Sequence, residues 1–106
     1  MSGYSLAELA ATIAARAEAL PETSYTASLL QQGPAYCARK FGEEAVEAVV
    51  AAVEGDAQRL VAESADVLFH LLILLQAGGA TLDAVMDELE RRTAQSGHAE
   101  KASRPK

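Results

Sequence analysis

Residues 40–70 read KFGEEAVEAVVAAVEGDAQRLVAESADVLFH, a helical pattern broken once, at Gly55-Asp56. Glycine tolerates the positive φ of a helix C′ position, and aspartate is a favoured N-cap. The pair therefore predicts the end of one helix and the start of the next. Two long helices joined by so tight a turn run antiparallel. Both arms rise equally per residue, so positions equidistant from Gly55 lie at one level. Glu47 and Glu63 are each eight residues from it, Glu44 and Asp66 eleven, Lys40 and His70 fifteen. Glu44 with Glu47, and Glu63 with Asp66, are i,i+3 pairs, each on one helical face. The hairpin thus predicts four carboxylates together at one level, with a cation one turn further out.

Four clustered carboxylates raise one another's pKa and oppose folding. Acidic side chains are seldom buried unless paired or bound to metal. A hard divalent cation with oxygen ligands relieves both problems, and Mg²⁺ is the first candidate. A solvated acidic face is the alternative. It suits Glu63 and Asp66 poorly, because the same helix continues as VLFHLLILL, apolar nearly all round, which predicts a buried helix. Glu44, Glu47, Glu63 and Asp66 are the candidate metal ligands.

The remaining sequence supplies the frame. A chain of 106 residues is one domain. Half of it is hydrophobic, but much of that is alanine and Trp is absent. So thin a core predicts a homodimer or larger assembly. A net charge of −6 argues against a nucleic-acid partner, which needs basic patches. One cysteine, Cys37, permits no internal disulfide and fits a reducing cytoplasm. No charged-then-apolar leader opens the chain. The apolar run at residues 71–75 is too short for a bilayer, so no membrane partner is expected.

Five helices are predicted, and no Gly-rich phosphate loop. The first starts from a Ser5-x-x-Glu8 capping box, carries Leu6, Leu9, Ile13, Ala17 and Leu20 as one stripe, and is stopped by Pro21. A short second helix, capped by Ser24 or Thr26, ends at Gly33. The third opens with Pro34 at N1 and turns Ala38, Ala45, Val46, Val49, Val50 and Val53 inward. Gly42 inside it either permits close backbone approach or is merely tolerated. The fourth runs from Asp56 to about Gln76. After Gly78-Gly79, Thr81 caps a fifth, with Leu82, Val85, Met86 and Leu89 inward. Its Asp83 and its Arg91-Arg92 complement the helix dipole. The expected fold is all-α, an antiparallel bundle of four to five helices over residues 1–93, completed by dimerisation. Residues 94–106 are expected to be an irregular tail.

The pattern E-E-x-x-E then E-x-x-D, at Glu43, Glu44, Glu47, Glu63 and Asp66, resembles the signature of the MazG-like all-α nucleotide pyrophosphohydrolases. Four longer words narrow this: SYT at 24–26, KFGEEAVE at 40–47, ESADVLFHLL at 63–72 and ELERR at 88–92. In this order they resemble the phosphoribosyl-ATP pyrophosphohydrolase family of histidine biosynthesis, over about residues 6–104. The resemblance implies Mg²⁺-dependent hydrolysis of 1-(5-phosphoribosyl)-ATP to 1-(5-phosphoribosyl)-AMP and pyrophosphate. It implies that Lys40 binds phosphate and that Glu43 orients or deprotonates the attacking water. It also implies that Ser24, Tyr25, Thr26, Arg91 and Arg92 bind substrate, and that a tail bearing Lys101, Arg104 and Lys106 folds over it.

The residues themselves leave plainer alternatives open. Ser24 and Thr26 suit capping, Lys40 suits an i,i+4 pair with Glu44, and Arg91 and Arg92 suit the dipole. His70 reads as a core residue with a supporting role behind the ligands. Three rival functions remain. One is a house-cleaning nucleoside triphosphate pyrophosphohydrolase on the same fold. Another is a di-iron bundle, which requires Glu-x-x-His pairs where Asp66 to His70 has one residue too many. The third is a helical interaction module without catalysis.

Overall fold

The computed structural model describes residues 3–94, 101, 102, 104 and 105. It comprises α1 (Leu6–Ala17), α2 (Tyr25–Gln31), α3 (Pro34–Val53), α4 (Ala57–Ala77) and α5 (Leu82–Thr93). No strand occurs among the described residues. Most of the expected tail, Lys106 included, lies outside the described residues. Within it, the Arg104 amide donates to the Lys101 carbonyl at 3.4 Å, closing one turn.

Four of the five helices start where a side chain satisfies an otherwise unpaired amide, and α3 starts instead at Gly33 with Pro34 at its first position. The Ser5, Ser24, Asp56 and Thr81 side chains accept from the amides of Glu8, Ala27, Arg59 and Ala84. At Ser5 the Glu8 carboxylate takes the serine hydroxyl at 3.3 Å. The α3–α4 turn is a Schellman motif: Gly55 has φ +75°, its amide bonds Ala52 O, and the Asp56 amide bonds Ala51 O. An Arg59–Glu54 ion pair at 2.7 Å spans the same turn.

α3 and α4 form the antiparallel hairpin and share the most extensive contact in the chain. α1 and α2 cover only its open end. The core there is Ile13, Leu29, Cys37, Leu72 and Ile73, fringed by Leu9, Leu30, Tyr36, Phe69 and Leu82 among others. Ala51 is the fully buried residue near the turn. α5 packs only marginally on the rest.

Several burial expectations are corrected. α1 ends at Ala17, before Pro21 can act, so Leu20 leaves the stripe and is exposed. On α3, Ala38 is exposed, and Val46, Val49, Val50 and Val53 face outward, Val53 at 83% exposure. α4 is not enclosed all round: Val61 is 72% exposed and Leu68 is also open. Met86 and Leu89 on α5 are exposed as well. The common reason is that α1 and α2 together are too short to cover both ends of a hairpin whose arms are 20 and 21 residues long. α4 is long and apolar enough to cross a membrane by length and composition, contrary to the inference from its longest apolar run. Its Glu63 and Asp66 lie mid-helix, however, where charge is costly in lipid, and they meet α3.

Candidate metal centre

α3 supplies Glu44 and Glu47, and α4 supplies Glu63 and Asp66, from facing stripes midway along the hairpin. One carboxylate oxygen from each of Glu44, Glu63 and Asp66 lies within 4.8 Å of the others. Glu47 sits beside Glu44 and Glu63, near enough for its charge to act on both. Burial first, then Glu47, raises the Glu44 pKa above the ordinary carboxylate value, and Asp66 and Glu63 add to the effect. Burial and then Glu47 raise Glu63 in the same way, with Arg59 opposing. Glu63 Oε2 is closed off from solvent and has no hydrogen-bond partner. A buried carboxylate oxygen without a donor is costly. An all-oxygen donor set that compresses its own charge fits a hard divalent cation. The arrangement can therefore hold a metal ion.

Lys40 lies one turn outward on α3. Its ammonium bonds Glu43 Oε1 at 3.4 Å, rather than the Glu44 expected from i,i+4 spacing. Glu44 is turned toward α4, whereas Glu43 stands on the exposed side, also 3.6 Å from Arg39. Glu43 thus lies beside the carboxylate cluster and not in it. The Glu43 bond raises the Lys40 pKa, and the Tyr25 and Tyr36 phenols add to this. His70 is buried, at 5% exposure. Burial lowers its pKa, Lys40 lowers it further and Asp66 pulls it back, which leaves a neutral imidazole at pH 7.

The SYT segment divides in two. The Ser24 hydroxyl accepts from the Ala27 amide and donates to Arg16 O at 3.0 Å, and Thr26 is buried within α2. Tyr25 alone is open to solvent, at 58% exposure. Arg91 and Arg92 bind Glu88 on their own helix, at 2.7 and 2.8 Å. That pair pulls the Glu88 pKa down to about 2. Among the described residues, α5 makes no extensive contact with α3.

One grouping has no trace in the spacing pattern. Tyr25 stacks on Phe69, with ring centroids 6.2 Å apart, and both meet His70 edge-on. Phe69 and His70 follow Asp66 by one turn, but only the seating of α2 brings Tyr25 to them. A cleft of about 400 Å³ between Ala7, Ala11, Leu75 and Asp83 lies away from the carboxylates.

Residues 6–93 match the family model described as phosphoribosyl-ATP pyrophosphohydrolase. A protein of Methylobacterium radiotolerans named phosphoribosyl-ATP pyrophosphatase is 65% identical over 104 residues, 98% of this chain and 97% of that one. Identically named proteins of Methylobacterium nodulans and Ruegeria pomeroyi are 58% and 57% identical, over 98% and 95% of this chain and 97% and 96% of their own length. These matches take in α1 to α5, the four carboxylates and Lys40, and the chain belongs to the phosphoribosyl-ATP pyrophosphohydrolase family.

Proposed function

We propose that the chain hydrolyses 1-(5-phosphoribosyl)-ATP to 1-(5-phosphoribosyl)-AMP and pyrophosphate, in the cytoplasm, as a Mg²⁺-dependent step of histidine biosynthesis. The observation that carries the mechanism is the convergence of Glu44, Glu63 and Asp66 from two helices, with Lys40 one turn away in a chain of this family.

Glu44, Glu47, Glu63 and Asp66 would hold the Mg²⁺, and the otherwise unpaired Glu63 Oε2 gains a partner thereby. The ion, when bound, supplies positive charge to the phosphate chain and acidifies water. Lys40 neutralises phosphate oxygens, since positioning and electrostatics supply most of phosphoryl-transfer catalysis. Glu43, 3.4 Å from the Lys40 ammonium, holds that cation in place and is the candidate acceptor for the proton of the attacking water. A P–O bond forms to that water's oxygen, the α–β anhydride bond breaks, and pyrophosphate leaves. His70, neutral and enclosed, supports Lys40 and Asp66 from behind. Tyr25, Ser24 and Thr26 form the α2 side of the substrate site, with Ser24 acting through the cap that sets the helix. Arg91, Arg92 and the tail's Lys101 and Arg104 would reach the anionic substrate only with α5 repositioned or contributed by a second copy.

The working unit is a homodimer or larger. Val46, Val49, Val50, Val53 and Val61 lie exposed toward the turn end of the hairpin, an apolar face that a second copy would cover. The test of function is direct measurement of pyrophosphate released from phosphoribosyl-ATP and from common dNTPs, with and without Mg²⁺. Turnover of phosphoribosyl-ATP that needs Mg²⁺ and exceeds turnover of dNTPs is expected. Preference for dNTPs would assign the house-cleaning activity instead, and no turnover of either would leave a helical interaction module.

A further inference from the structure

We propose that the exposed face of the Tyr25 ring is a shelf on which the purine base of the nucleotide stacks, with Phe69 and His70 as its backing. This rests on the nucleotide-hydrolysing reading above and adds a base-binding site to it.

Tyr25 is the first residue of α2, and its backbone is fixed from both sides. The Ser24 hydroxyl preceding it accepts from the Ala27 amide at 3.1 Å and donates to the last turn of α1, at Arg16 O, at 3.0 Å. The ring is then held by two others. It lies 7° from parallel to Phe69, with centroids 6.2 Å apart, and 88° to His70 at 6.3 Å. Phe69 and His70 lock each other edge-to-face at 5.3 Å. Phe69 packs on the core cluster and His70 is buried. Offset-stacked and edge-to-face contacts are the favoured aromatic geometries, so the three rings form a rigid unit with its outermost member left open.

The shelf is also in the right place along the chain. Phe69 and His70 follow Asp66 by three and four residues, one helical turn of about 5.4 Å. The Tyr25 phenol is near enough to Lys40 to act on its ammonium. Counted from Gly55, the carboxylates stand at eight and eleven residues and Phe69, His70 and Lys40 at fourteen and fifteen, so the aromatic unit and Lys40 share the level just beyond the carboxylates. A nucleotide likewise carries its base at the end away from its phosphate chain. A ligand whose phosphates lie at the carboxylates and Lys40 carries its base toward Tyr25. A flat ring held rigidly suits a base, because every base has a π-face and stacking needs no edge-specific donors.

The test compares two ligands that differ by one adenosine. ADP and pyrophosphate are each titrated calorimetrically, in Mg²⁺, into wild type, Tyr25→Ala and Tyr25→Phe, with melting temperatures measured alongside. Tyr25→Ala is expected to weaken ADP about tenfold or more, as loss of a stacked ring does, and to leave pyrophosphate within about twofold of wild type. Tyr25→Phe, which keeps the ring, is expected to retain ADP affinity. ADP unaffected by Tyr25→Ala, or ADP and pyrophosphate weakened alike, overturns the shelf, as does a wild type that binds ADP no better than pyrophosphate. The underlying reading fails separately. A wild type that shows the ADP-specific Tyr25 effect yet releases no pyrophosphate from phosphoribosyl-ATP keeps the shelf and loses the substrate. Normal turnover with a Tyr25→Ala variant of unchanged ADP affinity does the reverse.

Discussion

At the scale of single residues, the four carboxylates differ in surroundings despite their symmetric spacing. Glu63 has the oxygen that neither solvent nor a donor reaches, while Asp66 and Glu47 are exposed. Removing a ligand charge with almost no change of volume separates chemistry from packing. Asp66→Asn or Glu47→Gln is expected to lose at least about a hundredfold in kcat, with smaller effects on folding. Steady-state pyrophosphate release checks this, and near-normal kcat in both variants would remove the carboxylates from the site. Gly42 makes a different case. A Cβ added there meets nothing within 4 Å, so close approach among the described residues is not its reason. Gly42→Ala should stabilise the isolated fold by roughly 0.5–1 kcal/mol, the helix-propensity difference, read from denaturant midpoints. A loss of stability instead would show that another surface, from a second copy, comes close there.

At the scale of elements, the α3–α4 hairpin stores repulsion that a bound cation would relieve. The folded-state pKa values of Glu44 and Glu63 lie above their ordinary value of 4.5. Stability from such groups is fully present below pH 4.5 and is lost as pH rises through the raised values. Without metal, these two groups therefore lower stability on going from mildly acidic to neutral pH. Glu88 on α5 has the opposite sign: with a pKa near 2, its contribution is present above pH 4.5 and lost as pH falls. Glu44→Gln should accordingly be more stable than wild type in EDTA at pH 7. Mg²⁺ should stabilise wild type by about 2.7 kcal/mol at a hundred times Kd, and the variant by less. Four melting curves at constant ionic strength test the pair. Equal Mg²⁺ shifts in both proteins would mean that Glu44 is no ligand, since screening alone acts on both alike.

At the scale of the whole molecule, the single chain is more open than its mass requires. Its radius of gyration is 15.7 Å, where a compact domain of about 100 residues has about 13 Å. Its accessible surface is 7332 Å², against about 5,700 Å² for a compact monomer of this mass. Among the described residues, large apolar side chains stand exposed where α1 and α2 do not reach, along the valines of α3, at Val61 and Leu68 on α4 and at Met86 and Leu89 on α5. A second copy packing there would bury them as a domain core is buried. Val49→Asp is expected to yield monomers by sedimentation at micromolar concentration, and wild type dimers or larger. A monomeric wild type would refute the assembly.

How much of this was legible in the sequence follows from which interactions are local. Helix starts and the α3–α4 turn were, because caps and glycine turns act within a few residues: Ser5, Asp56, Thr81 and Gly55 stand where their chemistry placed them, and of Ser24 and Thr26 it is Ser24 that caps α2, whereas the end of α1 came at Ala17 and not at Pro21. The level of Glu44, Glu47, Glu63 and Asp66 was legible too, because a tight turn between two regular helices fixes register by counting. Burial was not. An apolar stripe says that a helix has a face to cover, and nothing about what covers it; Val46 to Val53 and Met86 lack that cover within the chain. Nor was the choice of Glu43 over Glu44 as the partner of Lys40, which depends on α4 drawing Glu44 inward. Tyr25 meets Phe69 and His70 across more than forty residues of sequence. Only the seating of α2 on the open end of the hairpin brings them together, because contacts between helices are set by packing and leave no periodicity to count.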